Sequence, residues 1–575
     1  MTSNRLAWQH LLPNHTPYQT LFTQAAQLAP AEFSAIQSRL ADSLTLFCHP
    51  RAPSRFMLLK AQENSEYMAL VAKVVNTIRP ESRPLLGSRY EVEGRQVRVA
   101  PATQPHDNFA AQHACCYQEW VEPEQLFGCV RFFQDEITLN PGLIHQVNGG
   151  TLILSARALL AQPLMWLRLK QMITEGVYRW QSPDERKPLL VDIPPMPLNI
   201  RLIILGDRES LGDIHDIEPE LGSLSVYGEF EAQLQLIDIE DMARWCAYIN
   251  SLCLDNQLPL LAADAWPEFV NLSVRNSGDQ SSLPLCPVWL THQLKYVALY
   301  AQNQEISAQT LIDAIAARRW RESYLHERMQ DEIELGQILI ETEGHVIGQV
   351  NGLSVLEYPG YPIMFGEPTR ISCVVHPGDG EFTDVERKVE LGGNLHAKGM
   401  MIMQAFLISE LELDQQLPFS ASIVFEQSYG EVDGDSASLA ELCAFVSALS
   451  QQPINQQIAV TGSVDQFGHV QPIGGVNEKI EGFFEVCQRR GLTGQQGVIL
   501  PVANLRHLCL HKDVVDAVRE GQFHLFPVET APEAISLLTN VVYDDEHQPS
   551  LLSAIRERIS QLNPQERRRF PWFFR

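Results

Sequence analysis

Several common signatures are missing from this sequence, and each absence excludes something. There is no GxxxxGK[ST] phosphate loop anywhere in the 575 residues. Without those glycines the backbone does not wrap phosphates, and without the lysine nothing neutralises them. There is no CxxC pair. The eleven cysteines are odd in number and scattered, with Cys115 and Cys116 adjacent. Cys373 (ISCVV) and Cys443 (ELCAFV) sit in apolar surroundings. This is the pattern of free buried thiols in a reducing compartment, and neither a disulfide framework nor a zinc site is expected. No window of 18 or more apolar residues occurs, so no membrane-spanning helix is expected. The start, MTSNRLAWQHLLPNHTPYQ, lacks the charged-then-apolar pattern of a secretory signal. A cytoplasmic location follows as an expectation. Positive charge is also scarce. Against 70 Asp and Glu there are 43 Lys and Arg, for a net charge of −27. Such a surface repels nucleic acid and anionic membrane unless a local basic patch overrides it. The one basic run, Arg567 to Arg569, comes at the very end, so no nucleic-acid partner is expected.

What is present is globular. A 45% apolar and 20% charged composition is ordinary for a folded protein. This length corresponds to three or four domains. From about 40 to 240, short apolar runs alternate with helical stretches. Phe56–Leu59, GGTLIL (149–154) and IRLIILG (200–206) read as strands. Tyr67–Ile78 and Arg157 to about Ile173 read as helices. Strand–helix repetition predicts a parallel sheet covered by helices. From 241 to 330 the spacing is helical, in Asp241–Leu252, Val288–Gln302 and a connecting helix over Asp313–Gln330. From 331 to 540 the texture becomes mixed. Strands are predicted at Gln337–Ile340, Arg370–Val375, Ser422–Phe425, Gln457–Val460 and Gly497–Leu500, with helices at about 396–410, 436–450 and 477–490. The tail, 541–575, is helical and then charged, ending in FPWFFR. The expected class is a multidomain chain of α/β and α+β units, divided at about 240, 330 and 540.

Two segments carry chemistry. Ser428–Ala440 reads SYGEVDGDSASLA: a loop with Gly430 and Gly434 between a strand and an apolar helix. Ser436 stands at the junction, where it or Asp435 is expected to cap the helix. Unpaired backbone N–H groups at such a helix start are suited to an oxyanion. The small neighbours Gly434 and Ala437 let a substrate backbone approach. Downstream, QPIGGVNEKIEGFFEVC (471–487) makes a turn at Pro472 and Gly474–Gly475 and then a helix from near Asn477. Ile480, Phe483, Phe484 and Cys487 fall on one face, which predicts burial. Lys479 lies in the first turn beside that face. The dipole's positive end and burial both lower its pKa there. A neutral amine of that kind accepts a proton from a serine hydroxyl.

The stretch from about 331 to 540 resembles the proteolytic domain of the Lon protease family. The resemblance rests on GQVNGLSV (348–355), FGEPTRISCVV (365–375), LHAKGMMIMQAFL (395–407), VDGDSASLAELCAFVSAL (432–449), AVTGSVDQFGHVQPIGGVNEKIEGF (459–483) and GVILPVANLRHL (497–508), in fixed order. It implies that Ser436 is the nucleophile and Lys479 its general base. It implies too that Thr461 orients the amine, and that no metal is needed. The GDSAS form, with Asp435 before the serine, is similar to the archaeal, membrane-associated branch. A carboxylate near Lys479 raises its pKa, so Asp435 is expected to point away, as a cap acceptor. The family implies a homo-hexameric ring acting on peptides or unfolded proteins.

Residues about 40–330 resemble the family's AAA+ module with its chemical residues gone. After the first strand stands LKAQENSEYMALV (59–71) in place of a phosphate loop. Ser155-Ala156 stand where the family carries Asp-Glu, and Leu224 where an arginine is expected. The resemblance therefore implies a degenerate AAA+ module and no cofactor. Two other readings stay open: an ATP-dependent Lon protease with an unusual nucleotide site, and a ring-forming, chaperone-like binding module without turnover. His113, Cys115 and Cys116 form only a loose metal candidate. His396 and Lys398 are read as capping or surface residues rather than cleft residues.

Overall fold

Short runs of Val, Ile, Leu and Met, each bounded by polar residues, build the first sheet. The chain is described from a computed structural model, for residues 5–78, 87–133, 136–182, 188–302, 304–378, 380–388, 391–411, 419–427, 434–545 and 547–562. Gly430, Arg567–Arg569 and the FPWFFR segment lie outside the described residues.

Strand β1 (Phe56–Lys60) is followed by helix α1 (Ser65–Ile78). The other strands of the sheet are β2 (Cys115–Gln118), β3 (Thr151–Ser155), β4 (Arg201–Gly206) and β5 (Val226–Glu229). They pair in the order β5-β1-β4-β3-β2, all parallel. Strands β3 and β4 are buried at every position, as central parallel strands covered on both faces must be. The single helix expected after β3 is two, α2 (Ala156–Leu160) and α3 (Pro163–Glu175). Pro163 has no N–H to continue the first and suits the opening turn of the second.

A helical module follows: α4 (Ile239–Asp255), α5 (Ala265–Ser277), α6 (Pro287–Ala301), α7 (Ala308–Glu322) and α8 (Tyr324–Glu334). Trp245, Trp266 and Phe269 of this module share one core with Leu59, Ile203 and Leu205 of the sheet. The expected connecting helix over 313–330 is broken at Ser323. That hydroxyl donates to the Trp320 carbonyl at 3.2 Å, a local bond that competes with continued helix.

The second sheet is mixed. Its strands are β6 (Gln349–Leu356), β7 (Phe365–Pro377), β8 (Phe382–Asp384), β9 (Phe419–Phe425), β10 (Ile458–Val460), β11 (Gln496–Pro501) and β12 (Phe523–Val528). They run in the order β8-β9-β7-β6-β10-β11-β12, antiparallel from β9 to β6 and parallel from β6 to β12. Helices α9 (Asn394–Leu411) and α12 (Leu551–Leu562) pack on α10 (Ser438–Ser450), which with α11 (Val476–Arg490) lies on the sheet. Every residue of α10 is buried. Leu551, Ile555 and Ile559 of α12 join the same core. Residues 337–340, predicted as a strand, form none. The Gln427 side chain accepts from the Leu339 N–H at 2.8 Å and donates to the Gln337 carbonyl at 2.7 Å. A side chain there satisfies backbone groups that a neighbouring strand would otherwise pair.

Candidate active site

The segment after β9 re-enters the described residues at Gly434, whose φ of +121° lies where L side chains are strained. Four residues on, α10 begins at Ser438 with Ala437 as its N-cap, and no side chain among the described residues caps it. The expected capping role of Asp435 or Ser436 is therefore corrected. The Asp435 carboxylate accepts from Ser463 Oγ at 2.9 Å instead. The Ser436 carbonyl accepts from the Gly462 N–H at 2.9 Å, so the strand end after β10 holds the serine's main chain.

Helix α11 brings the lysine. Its predicted apolar face is real: Ile480 and Phe483 are fully buried, with Phe484 and Cys487 beside them. Two glycines let it lie directly on β7. A Cβ on Gly366 would meet the Glu478 carbonyl oxygen at 2.0 Å, and one on Gly482 would meet the Gly366 oxygen at 2.2 Å. This backbone-on-backbone contact fixes the first turns of α11 against the sheet and turns Lys479 inward, 3% exposed.

Lys479 Nζ lies 2.8 Å from Ser436 Oγ. It also lies 3.4 Å from Thr461 Oγ1, which is fully buried and stands 3.4 Å from the Ser436 carbonyl oxygen. Burial lowers the Lys479 ammonium to about 8, while the Asp435 carboxylate acts in the opposite sense. Desolvation is the larger of the two effects. A weakly basic amine at hydrogen-bond distance from a half-buried hydroxyl is an arrangement in which the proton passes from oxygen to nitrogen.

Comparison with known proteins agrees in its own terms. Residues 420–540 match the Lon protease (S16) C-terminal proteolytic domain, and residues 119–230 match the LonB-like AAA domain. A Lon protease homolog of Escherichia coli (strain K12) is 53% identical over 100% of this chain and 98% of its own length. One from Haemophilus influenzae is 41% identical over 99% of this chain and 96% of its own. The archaeal Lon protease of Thermococcus kodakarensis is 26% identical over 73% of this chain and 64% of its own length. The chain belongs to the Lon protease family.

The Lon-type site opens on a cleft of about 1240 Å³. Gly434–Ala437 and Pro472–Gly475 line it, together with apolar side chains from β6 and β7 such as Leu353 and Phe365. Helix α8 contributes Leu325 and Met329 to the same cleft. No helix among the described residues is long and apolar enough to cross a membrane.

His396 is neither a cap nor a surface residue. It is 2% exposed, 3.2 Å from the Asp384 carboxylate and 3.5 Å from that of Glu441. Burial pushes Glu441 up to about 7, against the pull of His396. Lys398 is exposed. The lone acid in LAELCAFVSAL was the signal for this cluster. His113, Cys115 and Cys116 do not assemble a metal site, and among the described residues no group of three or more His, Cys, Asp or Glu is placed to hold one.

The Lon AAA domain implies a nucleotide between the ends of β1, β3 and β4. Here the loop after β1 places Glu63 there, its side chain 1% exposed. Ser155 Oγ donates to one carboxylate oxygen, as does the Arg157 backbone N–H at 2.6 Å, and Ser210 Oγ donates to the other at 2.9 Å. The Arg157 guanidinium lies 3.4 Å from Glu63 and 2.6 Å from Asp207. The donors that would meet an anion at this place already hold one. Leu224, at the position where an arginine was expected, is 63% exposed.

Proposed function

We propose that this Lon-family chain is a serine endopeptidase in which Ser436 is the nucleophile and Lys479 the general base. The observation that carries the reading is the 2.8 Å approach of a buried, weakly basic amine to the Ser436 hydroxyl. Ser436 Oγ attacks the scissile carbonyl as its proton moves to Lys479 Nζ. Backbone N–H groups of the Asp435–Ser436 turn meet the oxyanion. The Lys479 ammonium then gives its proton to the leaving amine, and the acyl-enzyme forms. Water attacks that ester, loses its proton to Lys479, and Ser436 leaves with the proton returned. Thr461 orients the amine through Oγ1. Gly434 supplies the backbone turn, and Asp435 raises the lysine's basicity against the larger, opposite effect of burial.

The reaction needs no ATP. The carboxylate of Glu63, held by three donors where phosphates would lie, supports this. Without an unfolding motor the substrates are peptides and unfolded proteins. The working form is a homo-hexamer in the manner of the family, and nucleic acid is not a partner. The test is hydrolysis of casein with and without ATP by the wild type, Ser436→Ala and Lys479→Ala chains. Cleavage by the wild type alone, unchanged by ATP, is expected. A requirement for ATP contradicts the nucleotide-free reading, and cleavage that survives Ser436→Ala contradicts the catalytic one.

A further inference from the structure

Helix α11 carries a second set of ionised groups that the chemistry above does not use. Glu478 and Glu481 flank Lys479 in sequence, yet both project to the helical module, where Arg275 meets them. Arg275, in the last turn of α5, grips Glu481 with two parallel bonds, Nη1 to Oε1 and Nη2 to Oε2, each 2.7 Å. Nη2 also donates to Glu478 Oε1 at 2.8 Å, and Nη1 to the Cys509 carbonyl at 2.9 Å. Glu481 takes two further contacts from His511, its N–H at 2.9 Å and Nδ1 at 3.1 Å. Burial disfavours ionisation of Glu481, and Arg275, with the His511 N–H, outweighs it, holding the carboxyl down at about 2. Around this clamp the segment after β11 ties the same two elements. The Cys509 N–H donates to Asn477 Oδ1 at 2.8 Å and Cys509 Sγ to the Asn271 carbonyl at 3.3 Å. A bidentate guanidinium–carboxylate pair fixes orientation as well as distance.

We propose that Arg275 is a positioning residue for Lys479: the helical module, through one half-buried guanidinium, sets the rotation and height of α11 and so the distance from Nζ to Ser436. The inference rests on the reading of Lys479 as general base. Two restraints then define the lysine. Gly366 and Gly482 press one side of α11 onto β7, and Arg275 holds the other side from a separate module. Neither Glu478 nor Glu481 lines the cleft. Their part is to present carboxylates to the clamp. A shift of about 1 Å at a catalytic group costs on the order of a hundredfold in rate, so a small loosening is readable. The site is thereby joined to the module that, in a nucleotide-driven relative, would move.

The experiment uses the full chain and compares wild type with Arg275→Met, Arg275→Lys and Arg506→Gln. Arg506 pairs with Asp279 on the surface of the same module contact, without touching α11. Casein-peptide hydrolysis gives kcat and KM, and a fluorophosphonate probe gives the rate of Ser436 labelling. Arg275→Met is expected to lower kcat and the labelling rate together by roughly 10- to 100-fold, with KM within about twofold. Arg275→Lys keeps the charge, loses the fork, and recovers part of the rate. Arg506→Gln changes neither. Should Arg275→Met fail to fold, the lysine variant carries the comparison. Folded Arg275 variants with wild-type kcat and labelling overturn the proposal, as does an equal loss in Arg506→Gln. A wild type that never labels at Ser436 overturns the catalytic reading and the clamp with it. Normal labelling in both the wild type and the Arg275 variants overturns the clamp alone.

Discussion

Asp435 is the residue whose effect on the reaction has a sign that is easy to test. Burial brings the Lys479 pKa down to about 8, and Asp435, which faces Ser463, acts against that by raising it. In the proposed mechanism Lys479 works as the neutral amine, so activity is expected to rise with pH as that ammonium loses its proton. Asp435→Asn keeps an acceptor for Ser463 and removes the charge. The lysine is then neutral at lower pH, and the acid limb of kcat/KM shifts downward. An unchanged limb contradicts the assignment of that limb to Lys479. At this scale the sequence was partly legible. Ser436 and Lys479 stand out once their segments are read together, Thr461 follows only from the family resemblance, and the structure brings the three within hydrogen-bond reach. The non-capping role of Asp435 was not legible, because the choice between a helix start and Ser463 is made by a strand 28 residues away. His396 was misread for the same reason: its partners Asp384 and Glu441 lie on other elements.

Among elements, α11 decides the geometry of the site. Its apolar periodicity was visible in advance, and its observed start at Val476 is one residue from that expected. What periodicity does not reveal is how close the helix comes to the sheet. That depends on Gly366 and Gly482 meeting from elements 116 positions apart, where either Cβ would collide with backbone. Backbone does not give way as a flexible side chain does. Gly482→Ala is therefore expected to lower stability by about 1–3 kcal/mol and to reduce peptidase activity by moving Lys479 off Ser436. Thermal melting and kcat check this together. A stable, fully active Gly482→Ala chain would show that α11 has slack. The other element-scale misses have physical causes too. Pro163 starts a helix inside a continuous periodic run, Ser323 breaks one, and Gln427 replaces a strand partner at 337–340. A missing N–H or a side-chain bond with the backbone overrides a short apolar pattern.

For the whole molecule, the parallel sheet, the helical module and the mixed sheet follow the order read from the sequence. Long apolar strands and periodic helices carry strong local signals, and the change of texture near 331 was one of them. The loss of the phosphate loop was legible as missing glycines and lysine. What took its place was not, because Glu63 gains meaning only when β3 and β4 bring Ser155, Ser210 and the Arg157 N–H to it. A second anion at that position meets a buried carboxylate and no uncommitted lysine. Calorimetric titration with ATP and magnesium is accordingly expected to give no binding heat, and casein cleavage to be the same with or without nucleotide. Micromolar binding contradicts this account of the AAA domain.

The central claim concerns one proton moving between Ser436 and Lys479. The most direct measurement is the rate of Ser436 acylation by a fluorophosphonate probe as a function of pH, without nucleotide, in wild type and Lys479→Ala. The account predicts a rate that climbs with pH to a plateau above about 8 in the wild type, and near-complete loss of labelling in Lys479→Ala. A flat profile, or equal labelling of both chains, contradicts it.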